Sequence, residues 1–474
     1  MRKNHTLKVG ILVAGDFCAL LAALGASLWT RYANTANQSL IAKHTLPFMI
    51  VFAVWIIFFG AFGLYELRLA KNTKYFLFRL LQAVGISAVA SILFFYLLPF
   101  GIEPRRNLAL IALSATVLIF AWRYVFNLLA VRASAARVLF LGVTKETAAL
   151  ADYLAHNPQF GQKPIAFLPI GQNAALELLP IPSLDAQRDL GMIIQEHAID
   201  TVVMLHTLKE NKTVVRALLA IIPLGVAIVE FSAFYERLTG KVPASLIEEI
   251  WFLENLIGTR KRFYEFFKRV FDILLALVLG CITLAFFPFV ALGIALSTPR
   301  DILHYKERRA RKGDGIFFFR QQRVGKDNMP FAFIKFRSQR LGAEQMSRQL
   351  KEAKEVPNDP RHYWFGQLMR KTYFDELPQI INILKGEMSF IGPRPERPEY
   401  VNELKYNVPF YEMRLLVPPG ITGWAQIHME NDAAVEDAPE KMQYDLYYIK
   451  NRSFTLDLLI ALRTIFTLLQ RQGR

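Results

Sequence analysis

The chain opens with four long apolar stretches, Val9–Trp29, Pro47–Tyr65, Tyr75–Pro99 and Leu108–Val131, separated by polar loops. Each holds about 20 residues, enough for an α-helix to cross the hydrocarbon core of a bilayer. The pattern predicts a four-helix transmembrane domain over residues 1–132. From Arg137 the texture changes. Short apolar runs at Arg137–Gly142, Pro164–Leu168, Thr201–Leu205 and Ala227–Val229 alternate with helical periodicity at Ala148–Asn157, Leu184–His197 and Thr213–Ile222. That alternation predicts a parallel α/β layer over residues 137–235, followed by a linker over 236–260. A fifth apolar run, Val270–Ser297, then precedes a segment of soluble composition. In that segment Ile316–Arg320 and Phe331–Phe336 read as strands around the turn Val324–Asn328. Glu344–Glu355 and Glu376–Leu384 read as helices, the latter stopped by Lys385-Gly386, and Leu456–Leu469 as an amphipathic helix.

Charge orients these runs. Arg2, Lys3 and Lys8 precede the first stretch, Arg68, Lys71, Lys74 and Arg79 lie around the turn between the second and third, and Arg132 and Arg137 follow the fourth. The other two loops carry only Arg31, Lys43, Arg105 and Arg106. By the positive-inside rule the N-terminus and everything after Val131 face the cytoplasm. The fifth run has cations on both sides: Lys261, Arg262, Lys268 and Arg269 before it, then Arg300, Lys306, Arg308, Arg309, Arg311 and Lys312. That flanking does not suit a helix with one end outside, and Pro288 removes a backbone donor within it. The reading is a re-entrant hairpin over 270–298 that dips into the inner leaflet and returns. The alternative is a fifth crossing kinked at Pro288. Asp16 and Arg79 lie near span ends, where snorkelling accounts for them more simply than transport.

Composition agrees with a membrane protein. The 474 residues are 53% hydrophobic, and 56 Lys+Arg against 40 Asp+Glu leave a net charge of +16. The basic residues flank apolar runs, which favours an anionic membrane surface over nucleic acid as their partner. Cys18 and Cys281 both lie in apolar runs, which argues against a disulfide framework or a cysteine metal site.

The candidate chemistry centres on Asp375 and Glu376, adjacent carboxylates among Arg370, Lys371, Lys385, Arg394 and Arg397. A carboxylate serves as a nucleophile or holds a divalent metal. Arginines fork onto phosphate oxygens, and Pro393 and Pro395 stiffen the backbone on both sides of Arg394. Together they point to chemistry on a phosphate. Asp375 also reads as the N-cap of the Glu376–Leu384 helix, a position that attracts a phosphate in its own right. Gln321–Gly325 and Lys335–Ser338 place further cations on a strand or turn, where a solvated strand face explains them equally well. In the α/β layer the turn Gly142-Val143-Thr144-Lys145-Glu146-Thr147 keeps only the first glycine of a dinucleotide loop. A regulatory or assembly role suits it better than dinucleotide binding. The eight histidines show no ligand spacing.

A set of ordered motifs carries a resemblance from about Lys268 onward. They are Lys268–Asp272, Arg320–Gly325, Lys335–Ser338, Leu368–Thr372, Asp375–Gln379, Asn382–Ser389, Gly392–Pro395, Pro419–Gln426 and Tyr444–Asn451. In these the chain resembles the bacterial sugar transferase family, monotopic polyprenyl-phosphate sugar-1-phosphate transferases. The first half is similar to the long members, and Glu396–Tyr400 and Val435–Ala438 look like the exopolysaccharide branch. The fold implied is an α-helical membrane bundle, a degenerate Rossmann-like α/β domain, and an α/β catalytic domain over 261–474 with a re-entrant membrane helix. The activity implied is attack of Asp375 on the sugar-bearing phosphate of a UDP-sugar, release of UMP, and transfer of the sugar-phosphate to undecaprenyl phosphate. Glu376 assists, and Asp375 and Glu376 hold Mg²⁺. Lys335, Arg370 and Arg394 clamp phosphates, with Gln321 and Arg323 also on the substrate. The location implied is a bacterial inner membrane with a cytoplasmic catalytic domain, and a homodimer through the added N-terminal domains stays open. Tyr373-Phe374, Pro418, Met429-Glu430-Asn431 and Phe287-Pro288 depart from the family pattern.

Two other readings compete. A membrane-anchored nucleotide-sugar dehydratase or epimerase calls for an intact glycine loop and a Tyr-x-x-x-Lys pair in the α/β layer; the spacing Tyr264–Lys268 lies outside it. A non-enzymatic polysaccharide-export scaffold would release no UMP.

Overall fold

The computed structural model describes residues 2–32, 38–65, 74–97, 105–132, 135–170, 179–246, 249–257, 261–305, 315–343, 361–429 and 437–470. The expected helix Glu344–Glu355 lies outside them. So do the cations Arg68, Lys71, Lys306, Arg308, Arg309, Arg311 and Lys312, and the positions Glu430, Asn431, Val435 and Glu436. The chain divides into two compact units, Met1–Thr239 and Gly240–Arg474.

The first unit begins with α1 (Arg2–Tyr32), α2 (Gln38–Ala61), α3 (Lys74–Leu97) and α4 (Arg105–Arg132). Val9–Thr30, Phe76–Leu97 and Leu108–Phe126 are long and apolar enough to cross a membrane, and His44–Gly60 is a shorter apolar stretch. Their exposed faces are as apolar as their packed ones, with Ile57, Phe78, Leu93 and Leu113 all uncovered. Such a surface suits a hydrocarbon environment. Asp16 does not snorkel. It is fully buried, and Arg123 of α4 donates to both of its carboxylate oxygens, at 3.1 and 2.6 Å. Arg123 also donates to the Leu64 carbonyl at 2.8 Å, which ties the end of α2 to the same pair. Two charges of opposite sign meet across α1 and α4, so neither has to reach for the interface.

The α/β layer follows with β1 (Ala136–Leu141), α5 (Lys145–Ala155), β2 (Gln162–Leu168), α6 (Leu190–Glu196), β3 (Thr201–Met204), α7 (Lys212–Ala220), β4 (Ala227–Glu230) and α8 (Phe231–Thr239). The four strands are all parallel, in the order β2-β1-β3-β4. Pro164 sits on the edge strand next to a register shift at Val138/Leu139, the kind of place where a residue without an N–H is tolerated. Asp189 and Asn211 cap α6 and α7, which start later and earlier respectively than periodicity alone predicts. Leu139, Leu141, Ile193, Val202 and Leu218 fill one face of the sheet.

The second unit opens with α9 (Glu249–Phe252) and the long α10 (Arg262–Ser297), followed by α11 (Pro299–Leu303). The backbone stays helical through Pro288, so the break expected there is absent. One stripe of α10 packs on the domain. Ala276 meets Phe331, Phe333 and Ile380, and Val290 and Ile294 meet Phe336, Tyr363 and Met369. The opposite stripe, including Phe271, Leu274, Leu284, Phe289 and Leu296, is exposed. Both ends are fastened to the same domain. Lys268 Nζ lies 2.7 Å from Asp457, and Arg269 donates to the carbonyls of Ile383 and Leu384. Past the far end, buried Arg337 donates to Thr298 at 2.7 Å and to Asp301 at 2.9 Å. Beyond α11, β5 (Phe318–Val324) and β6 (Pro330–Phe336) form an antiparallel ribbon, and β7 (Ser389–Ile391) and β8 (Gly420–Thr422) a short parallel pair.

Candidate active site

The paired carboxylates sit on a turn that departs from the expected helix. The helix Trp364–Lys371 ends, Tyr373 takes a left-handed conformation (φ 56°), and Phe374–Gln379 forms a 3₁₀ turn. Pro378 has no amide hydrogen to close an α-turn onto Phe374, so the segment tightens and the α-helix starts only at Ile380. Asp375 is therefore not an α-helix N-cap. Gly386, at φ +85°, stops this helix. A left-handed tyrosine costs about 1–3 kcal/mol, which puts a strained residue two positions before Asp375.

Asn382, fully buried, locks this turn to the ribbon. Its Nδ2 donates to the Ala332 carbonyl at 2.7 Å, and its Oδ1 accepts from Ile334 N at 3.2 Å. The next residue, Lys335, is thereby set over Glu376. Its Nζ donates to Glu376 Oε1 at 2.6 Å and lies 3.9 Å from Asp375 Oδ2. Arg394 Nη2 reaches the same Glu376 oxygen at 3.4 Å. Asp375 is 6% and Glu376 8% exposed. No described residue donates a hydrogen bond to the Asp375 carboxylate within bonding distance.

The two carboxyls consequently differ in character. Burial opposes ionisation of Glu376, but Lys335 and Arg394 overcome it and hold the group at about 2. Burial dominates at Asp375 and, with the charge of Glu376 beside it, raises its proton affinity against the pull of Lys335, Arg370 and Arg394. One carboxylate is hydrogen-bonded to two cations. The other is buried, with Lys335 at 3.9 Å and no short hydrogen bond.

The remaining candidate residues distribute unevenly. Gln321 pairs in register with Phe333, and Phe319 with Lys335, so Gln321 and Arg323 share the ribbon face of Lys335. Arg323 turns to backbone: its Nη1 donates to the Pro395 carbonyl at 3.0 Å and lies 3.7 Å from Glu396. Burial draws its pKa down to about 10. Arg370 Nη1 meets His362 Nε2 at 2.6 Å, while its charge still acts on Asp375. Sequence reasoning named Glu396 and Asp445 only as motif positions and passed over Arg414 and Lys441; the four form a largely buried ionic cluster behind Arg394. The one signal for it was a charged residue at a helix position otherwise surrounded by apolar ones.

No group of three or more His, Cys, Asp or Glu among the described residues gathers as a metal cage. A divalent cation of the Mg²⁺ type asks for less, one or two carboxylates completed by substrate phosphates and water. Asp375, which accepts no short hydrogen bond, fits that requirement beside Glu376.

A family model described as bacterial sugar transferase matches residues 263–471, and one described as a CoA-binding domain matches residues 60–229. Three curated proteins illustrate the similarity. The UDP-N-acetylgalactosamine-undecaprenyl-phosphate N-acetylgalactosaminephosphotransferase of Aeromonas hydrophila is 37% identical over 240 residues, 50% of this chain and 51% of that protein. The UDP-glucose:undecaprenyl-phosphate glucose-1-phosphate transferase of Escherichia coli (strain K12) is 34% identical over 202 residues, 42% of this chain and 39% of that protein. An uncharacterized sugar transferase of Bacillus subtilis (strain 168) is 34% identical over 210 residues, 44% of this chain and 89% of that protein. The match thus spans about half of the Aeromonas protein and less of the E. coli one.

The α/β layer does not offer CoA the usual pyrophosphate cradle. A side chain on Gly142 would meet Leu205 Cδ1 at 2.6 Å, so apolar atoms already fill the space above the turn. The N-terminus of α5 is satisfied internally: Thr147 N donates to Thr144 Oγ1 at 3.2 Å and Thr144 N to Thr147 Oγ1 at 2.8 Å.

Proposed function

This chain belongs to the bacterial sugar transferase family, and from that premise we propose that it moves a sugar-1-phosphate from a UDP-sugar to undecaprenyl phosphate, starting an exopolysaccharide repeat unit. The observation that carries the reading is the asymmetry of the carboxylate pair: Glu376 is hydrogen-bonded by Lys335 and Arg394, whereas Asp375 has only the longer 3.9 Å ion pair with Lys335. An oxygen of Asp375 attacks the sugar-bearing phosphorus, the anhydride bond breaks, and UMP leaves with the bridging oxygen. The sugar-phosphate remains on Asp375 as an acyl phosphate. An oxygen of undecaprenyl phosphate then attacks the same phosphorus, the acyl-phosphate bond breaks, and the Asp375 carboxylate is restored. Lys335, Arg370 and Arg394 carry the charge of the phosphates through both displacements, with Gln321 on the same wall as Lys335. Mg²⁺ held by Asp375 and Glu376 with the diphosphate would offset phosphate charge and favour the ionised nucleophile.

The two substrates differ in phase, one in water and one in lipid. Helix α10 supports a placement at their boundary, because both of its ends are tied to one domain while its free stripe is apolar. On this reading α10, unbroken at Pro288, lies along the cytoplasmic leaflet of the inner membrane with its apolar stripe in the lipid and does not cross it, in place of the hairpin expected from sequence. The test is incubation of purified protein with a panel of UDP-sugars and undecaprenyl phosphate. UMP release with at least one sugar, lost in Asp375→Asn, is expected. Full turnover by Asp375→Asn sinks the nucleophile assignment, and no UMP from any sugar sinks the activity.

A further inference from the structure

The segment Pro393–Glu396 is held in an unusual way. Four consecutive carbonyls are each engaged by a different donor. Gly420 N donates to Pro393 O at 2.9 Å, Arg414 Nη2 to Arg394 O at 2.9 Å, Arg323 Nη1 to Pro395 O at 3.0 Å, and Val324 N to Glu396 O at 2.9 Å. The two central anchors are guanidinium groups, that of Arg414 buried and that of Arg323 half-buried. Proline at 393 and 395 has no N–H, so the chain on both sides of Arg394 cannot fix itself through its own amides there.

Arg414 is in turn fully determined. It is 4% exposed in the 3₁₀ turn Tyr411–Leu416. Its Nε donates to Asp445 Oδ2 at 3.1 Å and its Nη1 to the Tyr411 hydroxyl at 2.5 Å. Asp445 is 1% exposed on the helix Ala438–Asn451. Glu396 lies 3.9 Å from Arg414 Nη1 and accepts from Lys441 Nζ at 2.7 Å. These groups surround the backbone of Arg394, whose own guanidinium faces Glu376.

We propose that Arg414, fixed by Asp445, is a positioning residue that aims Arg394 at the substrate phosphates without touching them itself. A planar fork with several N–H donors can hold a carboxylate, a phenol and a carbonyl together, and a lysine ammonium at that depth cannot match all three directions. The kinetic arm of the test rests on the activity proposed above, and the labelling arm does not. The full chain in detergent is compared as wild type, Arg414→Lys, Arg394→Ala and the double variant. Arg414→Lys is expected to lower kcat about tenfold to a hundredfold, the usual cost of a misplaced clamp. In the Arg394→Ala background it adds nothing further. Phenylglyoxal labelling of Arg394, read by peptide mass mapping, rises in Arg414→Lys. Additive losses of rate, or unchanged labelling of Arg394, overturn the proposal. If Arg414→Lys does not unfold cooperatively, Asp445→Asn carries the same comparisons. A wild type that releases no UMP sinks the activity and leaves the labelling to decide this point.

Discussion

Replacing Glu376 by Gln removes a charge that the fold strongly prefers ionised, and the consequence can be sized. The carboxyl sits at about 2 against an ordinary 4.5. At roughly 1.4 kcal/mol for each tenfold change in proton affinity, the ionised form stabilises the domain by about 3 kcal/mol. The group is 8% exposed, so solvent screening takes little from that figure. The sign follows from a lowered pKa: the stabilisation is fully present above about 4.5 and is lost as pH falls through about 2. For a unit of this size about 3 kcal/mol corresponds to roughly 6–12 °C in the thermal midpoint. Unfolding of the detergent-solubilised chain is followed at pH 7 and pH 3. Glu376→Gln melts that much lower at pH 7, and the gap shrinks by about half or more at pH 3. A gap below about 1 °C at pH 7, or one of equal size at both pH values, would show that Lys335 and Arg394 do not hold Glu376 as argued.

Three further outcomes are expected. Asp375→Asn abolishes UMP release yet leaves the thermal midpoint equal or higher at neutral pH. Burial raises the Asp375 pKa, so stability is lost as pH rises from the ordinary carboxyl value of 3.8 toward the raised one, and the variant loses that dependence in a pH scan upward from the ordinary value. Arg123→Met alone destabilises the first unit by about 3–5 kcal/mol because Asp16 is left buried and unpaired, while Arg123→Met with Asp16→Leu recovers most of it; protease resistance in detergent reads both. Gly392→Ala places a methyl group 2.4 Å from the Pro418 carbonyl oxygen and 3.0 Å from Gly420 N. It forces β7 and β8 apart at a cost of roughly 1–3 kcal/mol or more, seen as a lower midpoint with reduced turnover.

Apolar run lengths, the alternation of strand and helix, and the two adjacent carboxylates are all local properties, and the linear chain determined them. Hydrocarbon thickness sets the length of a span, and the pleat or the helical turn sets the spacing of apolar positions; neither needs to know what lies across the fold. Contacts between distant residues were decided only in three dimensions. Asp16 is paired because α4 brings Arg123 to it across 107 positions, where sequence placed it at a span end. Asp375 misses the helix cap because Pro378 denies an α-turn and Asn382 draws the segment against β6. Which of two neighbouring carboxylates is closely hydrogen-bonded by cations, and which only meets one at longer range, depends on Lys335 and Arg394 arriving from separate elements. Coulomb and hydrogen-bond energies change over an ångström, and no spacing along a chain carries that distance.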